Sequence, residues 1–216
     1  MDILTTTQLD TAAELLTSGA VVAVPTPRWY MLAARAADPA AAATILRIKQ
    51  RPERKPLLLL LDALPTAQAR FLFSRDACAL ARHLWPGEVA LRLPWRANAA
   101  RLPAIGAPAL VGCPDGILGQ LLRLTGEPLS AAACSISTPA ATDDDHPALT
   151  ADHVAAFNAQ TGGHIAAVVD GGMCPQGRHM TIVDCPHGQS ARLHREGTVH
   201  PRAIAAALTE GASDVG

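Results

Sequence analysis

The sequence predicts a single α/β or α+β domain built on a mixed sheet. Three observations predict it. Apolar runs of strand length and segments of helical periodicity are interspersed along the chain, without strict β–α alternation. Apolar residues make up 49% of the 216, enough for one sizeable core, which aliphatics and alanine must build because aromatics are only 3%. No repeat and no clear linker divides the chain, so residues 1–211 read as one domain and 212–216 as a frayed tail.

The elements follow in order. Residues 7–18 carry apolar positions at helical spacing, and Gly19 stops them. AVVAVP at 20–25 reads as a buried strand ended by Pro25 and Pro27. Residues 38–50 read as a helix with Asp38 as N-cap and Pro39 at the first helical position. Pro52 closes it by disfavouring helical geometry in Arg51. PLLLLL at 56–61 fits strand or helix by periodicity, and its length favours a strand buried on both faces. A helix at 74–84 ends at Trp85-Pro86-Gly87, read as packing and turn. Strands at 88–94 and 108–114, a helix at 115–126 and a strand at 128–136 come next. Residues 138–149, with three aspartates at 143–145, read as a solvated loop. A helix at 150–163, strands at 165–172, 180–184 and 191–197, and a helix at 200–211 complete the chain.

Charge and cysteine usage exclude several classes. The net charge is −1, so a globally basic nucleic-acid binder is not indicated, although residues 47–55 can centre a local basic patch. Five cysteines without a C-x-x-C pair signal neither a disulfide framework nor a zinc site. The eight histidines show no metal-ligand spacing, and His146, His153, His179 and His187 read as surface residues. No metal ligand is assigned. The amino terminus has no secretory pattern, and no apolar run approaches the roughly 18 residues of a transmembrane candidate. The expectation is a soluble, reduced, cytoplasmic protein with no membrane partner.

Four motifs stand out, in this order. VVAVPTPRWYML is a strand ending in Pro-Thr with a tyrosine and a leucine downstream. Lys49, Arg51, Lys55 and Pro56 form K-x-R-x-x-x-K-P. LWPGEVALRLP places Trp-Pro-Gly before a strand. Asp170-Gly171-Gly172, Thr181-Ile182-Val183-Asp184 and Arg195-Glu196-Gly197 close the series. Read alone, Lys49 and Arg51 end a helix and Lys55 starts a strand, which sets three cations at one edge of the sheet. They suit either anion binding or a solvated turn that favours the helix dipole. Arg47 and Arg54 read as solvated.

Taken together, the four motifs resemble the YrdC/TsaC family, the L-threonylcarbamoyladenylate synthases, over roughly residues 7–207. The resemblance implies a twisted mixed sheet with flanking helices around a concave basic cavity. It implies that L-threonine (or another amino acid), bicarbonate and ATP are joined, usually with Mg2+, to give threonylcarbamoyl-AMP and pyrophosphate. The activated group then goes to a tRNA adenosine, with tRNA or tRNA-modification proteins as partners. It assigns Lys49 and Arg51 to catalysis and Thr26, Tyr30 and Lys55 to substrate. Lys49, Arg51, Ser135, Ser137, Thr181 and Arg195 are assigned to the nucleotide. Lysine and arginine suit this chemistry because both triphosphate and carboxy-phosphate-like groups are anionic.

The chain departs from the family pattern at identifiable places. P-T-[DE]-T-x-Y-G-L is altered by Pro27, Arg28, Trp29 and Met31. Gly112 stands at the arginine of R-x-P. S-x-N-x-S-G aligns with Ala133, Cys134, Ser135, Ile136, Ser137 and Thr138, and Met180 takes a serine position. Arg28 can return a positive charge from another direction. Two alternatives therefore stay open: an inactive paralogue that binds RNA, nucleotide or a partner protein, and a carbamoyl-transfer module.

Overall fold

A computed structural model describes residues 1–52, 55–137 and 146–213, with the side chains of residues 212 and 213 left aside. Arg54, Thr138, the aspartates at 143–145 and the last three residues lie outside the described part. The strands are β1 (Asp2–Thr5), β2 (Val22–Pro25), β3 (Tyr30–Arg35), β4 (Leu58–Leu60), β5 (Val89–Leu93), β6 (Ala109–Gly112), β7 (Leu129–Ala133), β8 (Ala167–Asp170), β9 (Thr181–Asp184) and β10 (Arg192–Arg195). The helices are α1 (Leu9–Thr17), α2 (Pro39–Ile48), α3 (Leu64–Arg70), α4 (Arg75–Leu84), α5 (Gly116–Thr125), α6 (Ala151–Gln160) and α7 (Pro201–Ser213). The strands form one mixed sheet in the order β1-β8-β2-β3-β7-β4-β6-β5-β9-β10. The α/β expectation on a mixed sheet holds.

Capping chemistry sets several of the helix starts. Asp38 accepts from the amides of Ala40 and Ala41, Ser74 from Ala77, and Thr150 from His153. Gly126 ends α5 in the left-handed conformation at φ 64°. α7 runs two residues past the expected end at 211.

Alternation along the leucine run explains why it is apolar throughout. Leu58 and Leu60 join the cluster with α1, α5, Val22, Val24 and Met31. Leu59 and Leu61 join the cluster with α3, α4, α7 and the far faces of β5 and β6. Leu57 packs with α2, Tyr30 and Leu32. All five are buried, so the strand has no solvent face.

The helices leave one region of the sheet uncovered. α1 and α5 pack over β2, β3 and β8, while α3, α4 and α7 cover the opposite face of β5, β6 and β9. The α1/α5 side of β4, β6, β5 and β9 therefore lies open and forms the floor of a cavity. Ala90 stands directly opposite Gly112 on one side and Ile182 on the other, so small and aliphatic side chains line that floor. Among the described residues no helix is long and apolar enough to cross a membrane.

A candidate anion-binding active site

The cavity has a volume of about 380 Å³. Its floor includes Met31, Leu58, Ala90, Leu110, Ala131 and Ile182. Its walls carry Arg28, Lys49, Arg51, Lys55, Arg92 and Arg195, and no carboxylate among the described residues lines it. An apolar floor under cationic walls pairs a hydrophobic surface with charge, a combination suited to an anion with a hydrophobic or planar end.

Lys49 caps the end of α2 and is 1% exposed. Its ammonium donates to the carbonyl of Ala133 at 2.6 Å, to the carbonyl of Ser135, and to Ser135 Oγ at 3.3 Å. Its own carbonyl accepts from the Ser137 amide at 2.7 Å. Side chain and backbone together clamp residues 133–137 against α2. Three protein acceptors match an ammonium's three donors, so Lys49 builds the wall as well as charging it.

Arg51 holds the turn that follows. Its Nε donates to Lys55 O at 2.9 Å, Nη2 to Pro56 O at 2.8 Å and Nη1 to Ser137 Oγ at 3.3 Å. The planar fork thereby fixes where Lys55 enters the cavity rim. Arg47 is exposed, as expected.

Across the cavity the cations come from distant parts of the chain. Arg28, 3% exposed, pairs with Glu88 and lies over the Trp29 ring, 5.2 Å from its centroid. Arg92 pairs with Asp184 at 2.9 Å and contacts both ring nitrogens of His194 at 3.2 and 3.1 Å. The β5–β9 register sets Arg92 opposite Asp184. Arg195 donates to Met180 O through Nε at 3.3 Å and Nη2 at 3.1 Å. Burial, and then the charges of Arg28 and Arg92, lower its guanidinium from the ordinary value. Like charges crowded at one wall favour an incoming anion, although Glu88 and Asp184 partly offset two of them. Gly197, which ends R-E-G, is forced by packing: a Cβ there would stand 2.2 Å from His179 O.

Of the site residues assigned from sequence, Lys49, Arg51, Lys55, Ser137 and Arg195 line this cavity, and four do not. Tyr30 is buried on the opposite face of β3, because strand alternation sends Met31 toward the cavity instead. Its hydroxyl donates to Gly172 O at 2.9 Å, and burial pushes its pKa up to about 12. Thr26 closes its own turn, donating to Trp29 O at 2.7 Å. Thr181 is fully buried and joins β9 to Val199, donating to its carbonyl at 2.8 Å and accepting from its amide at 3.0 Å. Ser135 is buried beside Lys49.

Sequence reasoning missed other wall residues. Arg92 carried a signal, a lone cation between the core-facing Leu91 and Leu93 of a strand. His179 is half-buried, lines the cavity and meets Trp29 edge-on at 5.0 Å and 81°, which corrects its reading as a surface residue. His146, His153 and His187 are exposed. At Gly112 the space a side chain would enter is bounded by Leu60, Leu58 and Met180 at 3.5, 3.7 and 4.0 Å, so aliphatic packing stands near the absent arginine. Trp85 and Gly87 serve packing and turn, bonding Val89 O and Cys113 O at 2.8 Å each. Among the described residues no group of three or more His, Cys, Asp or Glu could hold a metal.

Comparison with known proteins agrees with the architecture. Residues 14–197 match the Sua5/YciO/YrdC family, described as "Telomere recombination". The chain is 31% identical over 183 residues to a threonylcarbamoyl-AMP synthase of Bacillus subtilis (strain 168), covering 82% of this chain and 50% of that one. It superposes on the Pyrococcus abyssi Sua5 structure complexed with L-threonine with a TM-score of 0.80 and 25% identity, covering 96% of this chain and 61% of that one. Escherichia coli YciO shares the fold at a TM-score of 0.75 and 19% identity, covering 94% of this chain and 98% of that one. The chain spans about half the length of the Bacillus relative. It belongs to the Sua5/YciO/YrdC family.

Proposed function

We propose that the cavity binds ATP along the Lys49–Arg51–Lys55 rim and activates a carbamate derived from L-threonine, or another amino acid, and bicarbonate. The observation that carries this reading is six cations around one apolar-floored cavity, with no carboxylate among its described lining residues. The products are threonylcarbamoyl-AMP and pyrophosphate, and a tRNA adenosine is the eventual acceptor. In that chemistry a carbamate oxygen bonds to the α-phosphorus while the bond to pyrophosphate breaks. The rim cations hold the triphosphate in place, and Arg195 and Arg92 face the charge from the opposite side. A magnesium ion would come bound to the triphosphate.

Pyrophosphate release from ATP, dependent on both L-threonine and bicarbonate, is the expected result. A screen of amino acids showing no release with any of them contradicts catalysis.

One observation favours a second reading, a binding protein without turnover. Thr26 and Thr181 spend their hydroxyls inside the protein, and Gly112 brings no cation. That reading expects ATP or RNA binding without pyrophosphate release, the RNA binding falling steeply with salt. A carbamoyl-transfer module would instead depend on carbamoyl phosphate.

A further inference from the structure

A second cavity, of about 500 Å³, adjoins the first. Arg92 and Pro108 line both, so the two share a wall. Strand register gathers its charges. Arg92 on β5 stands opposite Asp184 on β9, and Asp184 stands opposite Arg192 on β10. Residues directly opposite on neighbouring strands share a face of the sheet, so cation, anion and cation form one row. Arg101 joins them from the segment between β5 and β6, and His187 from the turn between β9 and β10.

The charges in this cavity do not balance. Asp184 is the one carboxylate among its described lining residues, and it already meets Arg92 at 2.9 Å and His194 at 3.3 Å. Arg101 and Arg192 are exposed and have no carboxylate partner among the described residues. The Arg101 guanidinium lies over the Trp95 ring, 5.0 Å from its centroid. Such stacking orients a guanidinium through its face and leaves its N–H edge open to an oxygen. Trp95 is only 6% exposed, so it offers no open face to a nucleobase. Several guanidinium forks in one cavity suit a compact polyvalent oxyanion better than a monocarboxylate, which one fork satisfies.

We propose that this second cavity is a binding site for inorganic phosphate or pyrophosphate, held by Arg101 and Arg192 with Arg92 at the shared wall. The reaction proposed for the first cavity releases pyrophosphate one wall away. Only that source of the anion rests on the proposed function; the site itself does not.

The test titrates pyrophosphate and inorganic phosphate by calorimetry into the full chain saturated with ATP, which fills the first cavity. The expected result is one further anion bound per chain. In the double variant Arg101→Gln/Arg192→Gln that binding weakens by roughly tenfold or more, as loss of two charge-assisted contacts requires, while ATP affinity is unchanged. Both side chains are exposed, so the variant keeps the wild-type urea midpoint. Tighter binding of pyrophosphate assigns the product of the first cavity, and tighter binding of phosphate assigns the free ion; either supports the site. Displacement of the anion by ATP, or equal anion binding in wild type and double variant, overturns the second site while the first cavity's assignment stands. Anion binding that the double variant loses, in a chain that binds no ATP, keeps the second site and removes the proposed function. No binding of any probe overturns both.

Discussion

The two walls of the cavity are built on different principles. On the rim, the described partners that orient Lys49 and Arg51 are carbonyls and hydroxyls. On the opposite wall, Arg28 and Arg92 are held by the carboxylates of Glu88 and Asp184, which orient and partly neutralise them. In the proposed function the rim attracts the triphosphate, while the opposite wall meets it with cations that already carry carboxylate partners. The contrast teaches that a cation count overstates the charge a ligand meets.

Lys49→Met is the largest expected perturbation. It leaves the buried Ser135 carbonyl and the half-buried Ala133 carbonyl without their ammonium and should cost about 3 kcal/mol of stability. Urea denaturation measures this, and ATP binding should be lost even where the variant is folded. Wild-type stability in Lys49→Met would show that the rim carries charge without building the wall.

Arg28→Ala tests the other side. It strands the Glu88 carboxylate, which is only partly exposed, and should cost about 2–3 kcal/mol in the same denaturation experiment. Because the removed cation was already paired, ATP affinity should fall less than in Arg51→Ala. Unchanged affinity would remove Arg28 from ligand contact altogether.

Arg51→Ala should weaken ATP by tenfold or more, about 1.5–3 kcal/mol, with a smaller effect on stability than Lys49→Met. Equal affinity losses in Arg28→Ala and Arg51→Ala would erase the distinction between the walls.

Tyr30→Phe lies outside both walls and should have the smallest effect. Loss of its bond to Gly172 O should cost about 1 kcal/mol and leave ATP affinity unchanged. The unfolded chain releases the tyrosine proton near its ordinary value of 10, whereas burial delays release to about 12 in the folded protein. The unfolded state therefore gains from ionisation first, and wild-type stability should fall between pH 10 and 12. Tyr30→Phe should show a shallower fall in that window, measured by urea denaturation across the pH series.

The rim was legible in the sequence because it is local. Asp38 and Pro39 start α2, Pro52 follows its end, and β4 begins just beyond Pro56, so one short stretch carries cations and scaffold together. The opposite wall was legible only in part: the resemblance assigned Arg195 and the departures from it singled out Arg28, whereas Arg92 and His179 reach the wall through the β5–β9 pairing and the contact with Trp29, which no local stretch of sequence announces. The same limit applies to the fold. The buried strands β2, β4 and β9 announce themselves as apolar runs. β1 is mostly exposed, α3 is seven residues with a proline in its first turn, and β3 is alanine-rich and follows Pro-Arg-Trp. No element was expected at these three. Missing β3 also hid the alternation that turns Tyr30 away from the cavity and Met31 toward it.

Calorimetric titration of ATP into the wild-type chain and into Arg51→Ala tests the central claim most directly. One molecule of ATP bound per chain, with affinity falling at least tenfold in the variant, is the expected result. Absence of binding to the wild-type chain, or equal affinity for both proteins, would contradict it.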